Sequence, residues 1–146
     1  MNTICQLASE VAKDNRQKDV EVLFEPAKEN LLIRSNSERI SQVLNNLAHN
    51  AAKFTTRGSI RIAYSVLEAE KKLEISVTDT GIGIPKEKQE KVFERFYKMN
   101  SFSQGTGLGL SISRTIAEKL GGSLHIDSSY TDGCRMVLTL PLVYAE

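Results

Sequence analysis

The sequence predicts an α/β two-layer sandwich: one mixed, mostly antiparallel sheet with helices packed on one face. Three observations lead there. Two alternating runs, Ile60–Val66 and Leu73–Val77, flank the polar stretch Glu68–Lys72 and read as a hairpin. A second pair, Ser123–Asp127 and Met136–Leu140, turns at Thr131-Asp132-Gly133. The remaining patterned segments carry apolar residues at three- and four-residue spacing, as half-buried helices do.

In chain order, residues 3–16 place Ile4, Leu7, Ala8 and Val11 on one helical stripe, away from Glu10, Lys13 and Asp14. Val20–Phe24 and Leu31–Ile33 read as short strands separated by Pro26 and Asn30. A helix follows. Ser35 with Glu38 has capping-box spacing, and Asn36 and Ser37 are the other candidate caps. Its apolar stripe is Ile40, Val43, Leu44, Leu47 and Ala51. The first hairpin ends at Asp79, directly before a Gly-x-Gly turn, and Pro85 starts a short helical stretch over Lys86–Val92. Residues 94–106 lack periodicity and read as a mobile loop. Leu108–Leu120 is helical again, stopped by Gly121-Gly122 before the last hairpin. The blocks do not alternate as βαβ units, so the glycines are not a dinucleotide fingerprint. That pattern needs strand, Gly-x-Gly-x-x-Gly, helix, and an acidic residue about 20 positions on.

The chain reads as a single domain over residues 1–146, long enough to bury a core unaided. A hydrophobic fraction of 40% and a charged fraction of 25% are ordinary for a globular protein. The net charge of +1 supplies no global field for nucleic acid or an anionic membrane, and neither partner is expected. The apolar runs are short, so no membrane insertion is expected, and no signal peptide is visible. Cys5 and Cys134 have no metal-site spacing and read as buried or half-buried thiols, in keeping with a reducing cytosol. The start inside a helical pattern points to a piece of a larger protein.

Three polar segments carry chemistry. In the helix, Gln42, Asn46, Asn50 and Lys53 share one face beside the apolar stripe. Asparagine competes with the helix backbone, so Asn45, Asn46 and Asn50 within six residues want a reason beyond a solvated face. An amide oxygen is a neutral, hard ligand for Mg²⁺ beside phosphate oxygens, and a lysine one turn on can pair with phosphate. Asp79 ends a buried strand, where a carboxylate is costly unless hydrogen-bonded, and it can accept from the exocyclic amine that adenine presents. Gly81 and Gly83 leave room for a flat ring, although an Asp-x-Gly turn is common in any protein. Gly105, Gly107 and Gly109 lead into a helix whose N-terminal N–H groups form an anion site, the alternative being a plain hinge. The nearby cations are Lys53, Arg95 and Lys98. Phe93-Glu94-Arg95-Phe96-Tyr97 is either satellite core or a latch for a lid that brings Arg95 or Lys98 to the phosphates.

Together these segments resemble the catalytic ATP-binding domain of two-component sensor histidine kinases. The wider family (the Bergerat fold) includes type II topoisomerases, Hsp90 and the MutL repair proteins. The likeness runs from about Asn36 to Pro141. The helix resembles the N box, with Asn50 at the metal position, Asn46 supporting it and Lys53 at the phosphate position. Asp79-Thr80-Gly81-Ile82-Gly83 resembles the G1 box, Phe93–Tyr97 the F box and Gly105–Leu110 the G2 box. The F box together with Gly105-Thr106-Gly107-Leu108-Gly109-Leu110 favours the kinases over the other branches.

The resemblance implies a protein-histidine kinase fragment that uses ATP and Mg²⁺. Its nucleotide would be held by Asn46, Asn50, Lys53, Asp79, Gly81, Gly83, Arg95, Lys98, Gly105, Thr106, Gly107, Leu108 and Gly109. It implies as partners a dimerisation domain bearing the phosphorylated histidine and a downstream response regulator, and a cytoplasmic location for the domain. Two features depart from the pattern. The stretch between Tyr97 and Gly105 is seven residues, shorter than in many such kinases. The only histidines, His49 and His125, lie in no acceptor motif, so the fragment is expected to bind ATP without phosphorylating itself. The alternatives are a nucleotide-dependent switch or ATPase of the wider family, and a non-catalytic interaction domain.

Overall fold

The computed structural model describes residues 2–16, 19–24, 36–55, 57–94 and 109–142. Their elements in order are α1 (Asn2–Asn15), β1 (Asp19–Leu23), α2 (Ser37–Phe54), β2 (Arg57–Leu67), β3 (Lys72–Asp79), α3 (Gly109–Lys119), β4 (Ser123–Ile126) and β5 (Cys134–Pro141). The strands form one sheet in the order β1-β2-β3-β5-β4. Only β1 runs parallel to its neighbour; the other pairings are antiparallel. The expected mixed two-layer sandwich is therefore what forms.

Alternation along the strands decides which face is covered. Ile60 and Ile62 of β2, Leu73, Ile75 and Val77 of β3, Leu124 of β4, and Met136, Leu138 and Leu140 of β5 are all buried against the helices. The helical layer answers with Ile40, Val43, Leu44 and Leu47 from α2. Alanines sit where helices crowd: Ala8 and Ala12 on α1, Ala48, Ala51 and Ala52 on α2, Ala117 on α3. The opposite face is polar. There Arg135 of β5 bridges Glu74 of β3 at 3.1 Å and Asp127 at 2.8 Å. Val137 on that face is also buried, between Ser76 of β3 and His125 of β4 in register.

Local chemistry explains the element ends. Among the candidate caps of α2, Asn36 takes the role, its Oδ1 accepting from the Arg39 N–H at 3.2 Å. The first hairpin closes through a 3-10 turn over Glu68–Glu70, with Lys71 left-handed at φ 53°. α3 ends where the Gly122 N–H turns back to the Ala117 carbonyl at 2.9 Å. The expected helix over Lys86–Val92 is instead two 3-10 turns, Lys86–Lys88 and Lys91–Phe93. So short a segment gains few i→i−4 bonds against the cost of nucleation, and the tighter turns bury Val92 and Phe93 side by side. The expected strand Leu31–Ile33 lies outside the described residues, as does the expected loop beyond Glu94. No helix among the described residues is long and apolar enough to cross a membrane.

Candidate functional site

On the helical side of the sheet, the turn after β3 meets the C-terminal end of α2, and the start of α3 lies beside Asn46 further back along the same helix. Asp79 shares the face of Leu73, Ile75 and Val77, so it points under the helical layer, and it is only 6% exposed. Its Oδ1 accepts from the Gly81 N–H at 2.9 Å and the Cys134 N–H at 3.2 Å. No described residue hydrogen-bonds Oδ2. Burial raises the Asp79 pKa above its ordinary value, and the two N–H donors pull it partly back. The backbone carbonyl of Asp79 accepts from the Tyr130 hydroxyl at 3.2 Å. The carboxylate is thus fixed in orientation with one oxygen left over.

The turn after Asp79 is fastened on both sides. Thr80 exchanges bonds with Ser59 of β2: its N–H donates to the Ser59 carbonyl at 3.1 Å, and its hydroxyl accepts from the Ser59 N–H at 3.0 Å. The Ile82 N–H reaches the Phe54 carbonyl at the end of α2, 3.3 Å away. Gly81 lies so close to that carbonyl that a Cβ would collide with its oxygen and stand 3.0 Å from Thr55 Oγ1. Gly83 has φ +73°, which L side chains rarely adopt. Ile82, between the glycines, is 69% exposed.

Along α2, the polar face divides. Asn46 joins two helices: its Nδ2 donates to Ser113 Oγ of α3 at 3.0 Å. A Cβ on Gly109, at the first turn of α3, would come within 2.5 Å of Asn46 Oδ1. Asn50, one turn further, is half-buried, and its side chain makes no hydrogen bond to a described residue. The Lys53 ammonium lies 5.4 Å from the Phe54 ring centroid. From Asn46 to Phe54 the helix rises about 12 Å. The Gly81 turn therefore borders one end of this face and the α3 N-terminus the other.

The structure thus brings together Asn46, Asn50, Lys53, Asp79, Gly81, Gly83 and Gly109. The expected contributors Arg95, Lys98, Gly105, Thr106, Gly107 and Leu108 lie outside the described residues. Sequence reasoning missed several members. The Cys134 N–H depends on the β3–β5 register, which pairs Asp79 with Cys134 across 55 positions and leaves no local signal. Ser113 did leave one, a small polar residue one turn from Gly109 in an otherwise apolar stripe. Thr55 was also unremarked: it is fully buried, and its hydroxyl has no hydrogen-bond partner among the described residues.

The remaining reactive groups do not compete for this role. Cys5 and Cys134 are free and buried, and burial pushes their thiols up to about 11 and about 12. His49 and His125 are exposed. Among the described residues no group of three His, Cys, Asp or Glu side chains could hold a metal ion. A metal here would depend on amide, phosphate and water oxygens, which suits Mg²⁺ and not zinc.

Comparison with known proteins decides the lineage. The family described as histidine kinase-, DNA gyrase B-, and HSP90-like ATPase matches residues 35–144. The chain belongs to that family. Its relatives include the sensor histidine kinase WalK of Bacillus subtilis, 37% identical over 131 residues, which covers 86% of this chain and 21% of WalK. The autoinducer 2 sensor kinase/phosphatase LuxQ of Vibrio cholerae is 40% identical over 121 residues, 79% of this chain and 14% of LuxQ. Among solved structures, the catalytic domain of histidine kinase ThkA superposes with a TM-score of 0.81 at 31% identity, covering 96% of this chain and 92% of that one. Full-length ShkA in complex with AMPPNP reaches 0.81 at 26% identity, covering 98% of this chain and 29% of ShkA. The chain thus spans only 14% of LuxQ and 21% of WalK, and it corresponds to the part of a histidine kinase that ThkA's catalytic domain represents.

Proposed function

We propose that this chain is the ATP-binding catalytic domain of a sensor histidine kinase, donating the γ-phosphoryl of Mg-ATP to a histidine on a separate dimerisation domain. The observation that carries this reading is Asp79: a buried carboxylate oriented by two backbone N–H groups through Oδ1, with Oδ2 left for a ligand's donor. Adenine presents an exocyclic amine to such an acceptor, and guanine presents a carbonyl in its place. Gly81 and Gly83 would let the ring lie against the turn. Family membership, the relatives' names and the AMPPNP complex of ShkA all support ATP as the nucleotide.

The phosphate end would lie toward α3. Asn50 would hold Mg²⁺, its amide having no bond to a described residue, and Asn46 would support it while keeping α3 in place. The metal, when bound, neutralises charge on the phosphate oxygens. Lys53 and the backbone around Gly105–Gly109 would hold the phosphates, with Arg95 and Lys98 as further cations. Transfer forms a bond from a histidine ring nitrogen to the γ-phosphorus. It breaks the bond from that phosphorus to the β,γ-bridging oxygen, and ADP leaves. What this chain contributes is alignment and charge stabilisation, the larger part of phosphoryl-transfer catalysis. The acceptor domain and a response regulator are the proposed partners, and the cytoplasm the proposed site of action.

The test is transfer in trans. The domain is mixed with dimerisation hairpins from sensor kinases and γ-labelled ATP, and acid-labile label on the hairpin histidine is followed. Labelled phosphohistidine on at least one hairpin, with none on this chain alone, is the expected result. ATP hydrolysis with no phosphohistidine on any hairpin would favour a nucleotide-driven switch of the same family.

A further inference from the structure

α3 is held from two sides by consecutive residues. Ser113 accepts from Asn46 of α2, and Arg114 reaches the other way, to the 3-10 turn Lys91–Phe93 and the residue before it. Arg114 Nη1 donates to Glu90 Oε2 at 2.7 Å, and Nη2 points to Oε1 at 3.4 Å. The same guanidinium covers the Phe93 ring, its central carbon 4.4 Å from the centroid.

An exposed ion pair alone contributes little, and the Glu90 side chain is 79% exposed. Two features distinguish this one. The carboxylate meets the guanidinium as a fork, which fixes direction as well as distance. The stacked ring belongs to the core, with Phe93 only 7% exposed, so the contact is anchored to something that does not move with solvent. A planar guanidinium serves the fork and the ring at once, which an ammonium does not. On the other side of α3, Asn46 of α2 bonds Ser113, and Gly109 at the α3 N-terminus lies close against the same Asn46 side chain.

We propose that Arg114, clamped to Glu90 and stacked on Phe93, is a positioning residue that sets the phosphate end of the nucleotide site without touching the base end. This rests on the ATP reading above. Loosening the clamp lets the N-terminus of α3 shift relative to Asn50 while Asp79, held by Gly81 and by Cys134 of β5, stays in place.

The experiment compares binding of a non-hydrolysable ATP analogue with binding of adenosine. In Arg114→Gln, affinity for the analogue is expected to fall about fivefold with adenosine affinity unchanged. Arg114→Lys, which keeps the charge and loses the fork, is expected to fall between. Glu90→Gln changes an exposed position, and it carries the same split at smaller size should Arg114→Gln not fold. A stability role alone would lower both ligands together, in step with the melting temperature. That parallel loss, or an unchanged analogue affinity in variants that remain folded, overturns the proposal. A wild-type chain that binds neither ligand overturns the ATP reading, and this inference with it. A wild-type chain that binds both, with no split in the variants, overturns the clamp alone.

Discussion

Asp79 joins stability and function in one side chain. Its folded pKa stands above the ordinary carboxylate value because burial outweighs its two hydrogen bonds. A carboxyl raised in this way binds its proton more tightly folded than unfolded. Its contribution to stability is therefore present below the ordinary carboxylate range, and it is lost as pH rises through the raised folded value. At neutral pH the charge opposes folding. Asp79→Asn keeps an oxygen to accept from Gly81 and Cys134 while removing the charge. At pH 7 the variant is expected to melt at or above the wild-type temperature in calorimetry. Its affinity for an ATP analogue should nevertheless fall at least tenfold, about 1.4 kcal/mol. A variant that melts lower and binds as before would place the base elsewhere. The carboxylate was legible as a costly group at the end of an alternating strand. Its donors were not, because Cys134 arrives through strand register and not through neighbouring sequence.

At the scale of elements, the site depends on how closely the turn after β3 approaches the end of α2. Gly81 permits that approach against the Phe54 carbonyl, which is backbone and has little freedom to yield. Gly81→Ala is expected to destabilise the fold by about 1–3 kcal/mol in denaturant titration and to weaken nucleotide binding together with it. Retained stability and affinity would mean that the turn is looser than described. The hairpin β2–β3, the helix α2 and the last strand pair could all be read from periodicity, since each buries one face. The segment over Lys86–Phe93 could not, because eight residues with an apolar end satisfy helix and 3-10 spacing equally. Its importance comes from tertiary contact with Arg114, which no local pattern announces.

Across the whole molecule, one sheet carries one covered face, and the proposed site begins where the sheet's central strand emerges at the end of α2. The class of fold followed from the grouping of helices and antiparallel strands, but the parallel pairing of β1 with β2 did not, since it joins strands separated by α2. The site's polar segments were recognisable in order along the chain, and the fold draws the described ones to the same side of the sheet. Asp79 and Asn50 are proposed to serve the two ends of a single bound ATP. The most direct test is calorimetric titration with a non-hydrolysable ATP analogue, with and without Mg²⁺, against the corresponding GTP analogue, in the wild type and in Asn50→Ala. Binding is expected to prefer adenine and to strengthen with Mg²⁺, the Mg²⁺ effect disappearing in Asn50→Ala. Equal binding of the two analogues, or Mg²⁺ dependence that survives the loss of Asn50, would contradict it.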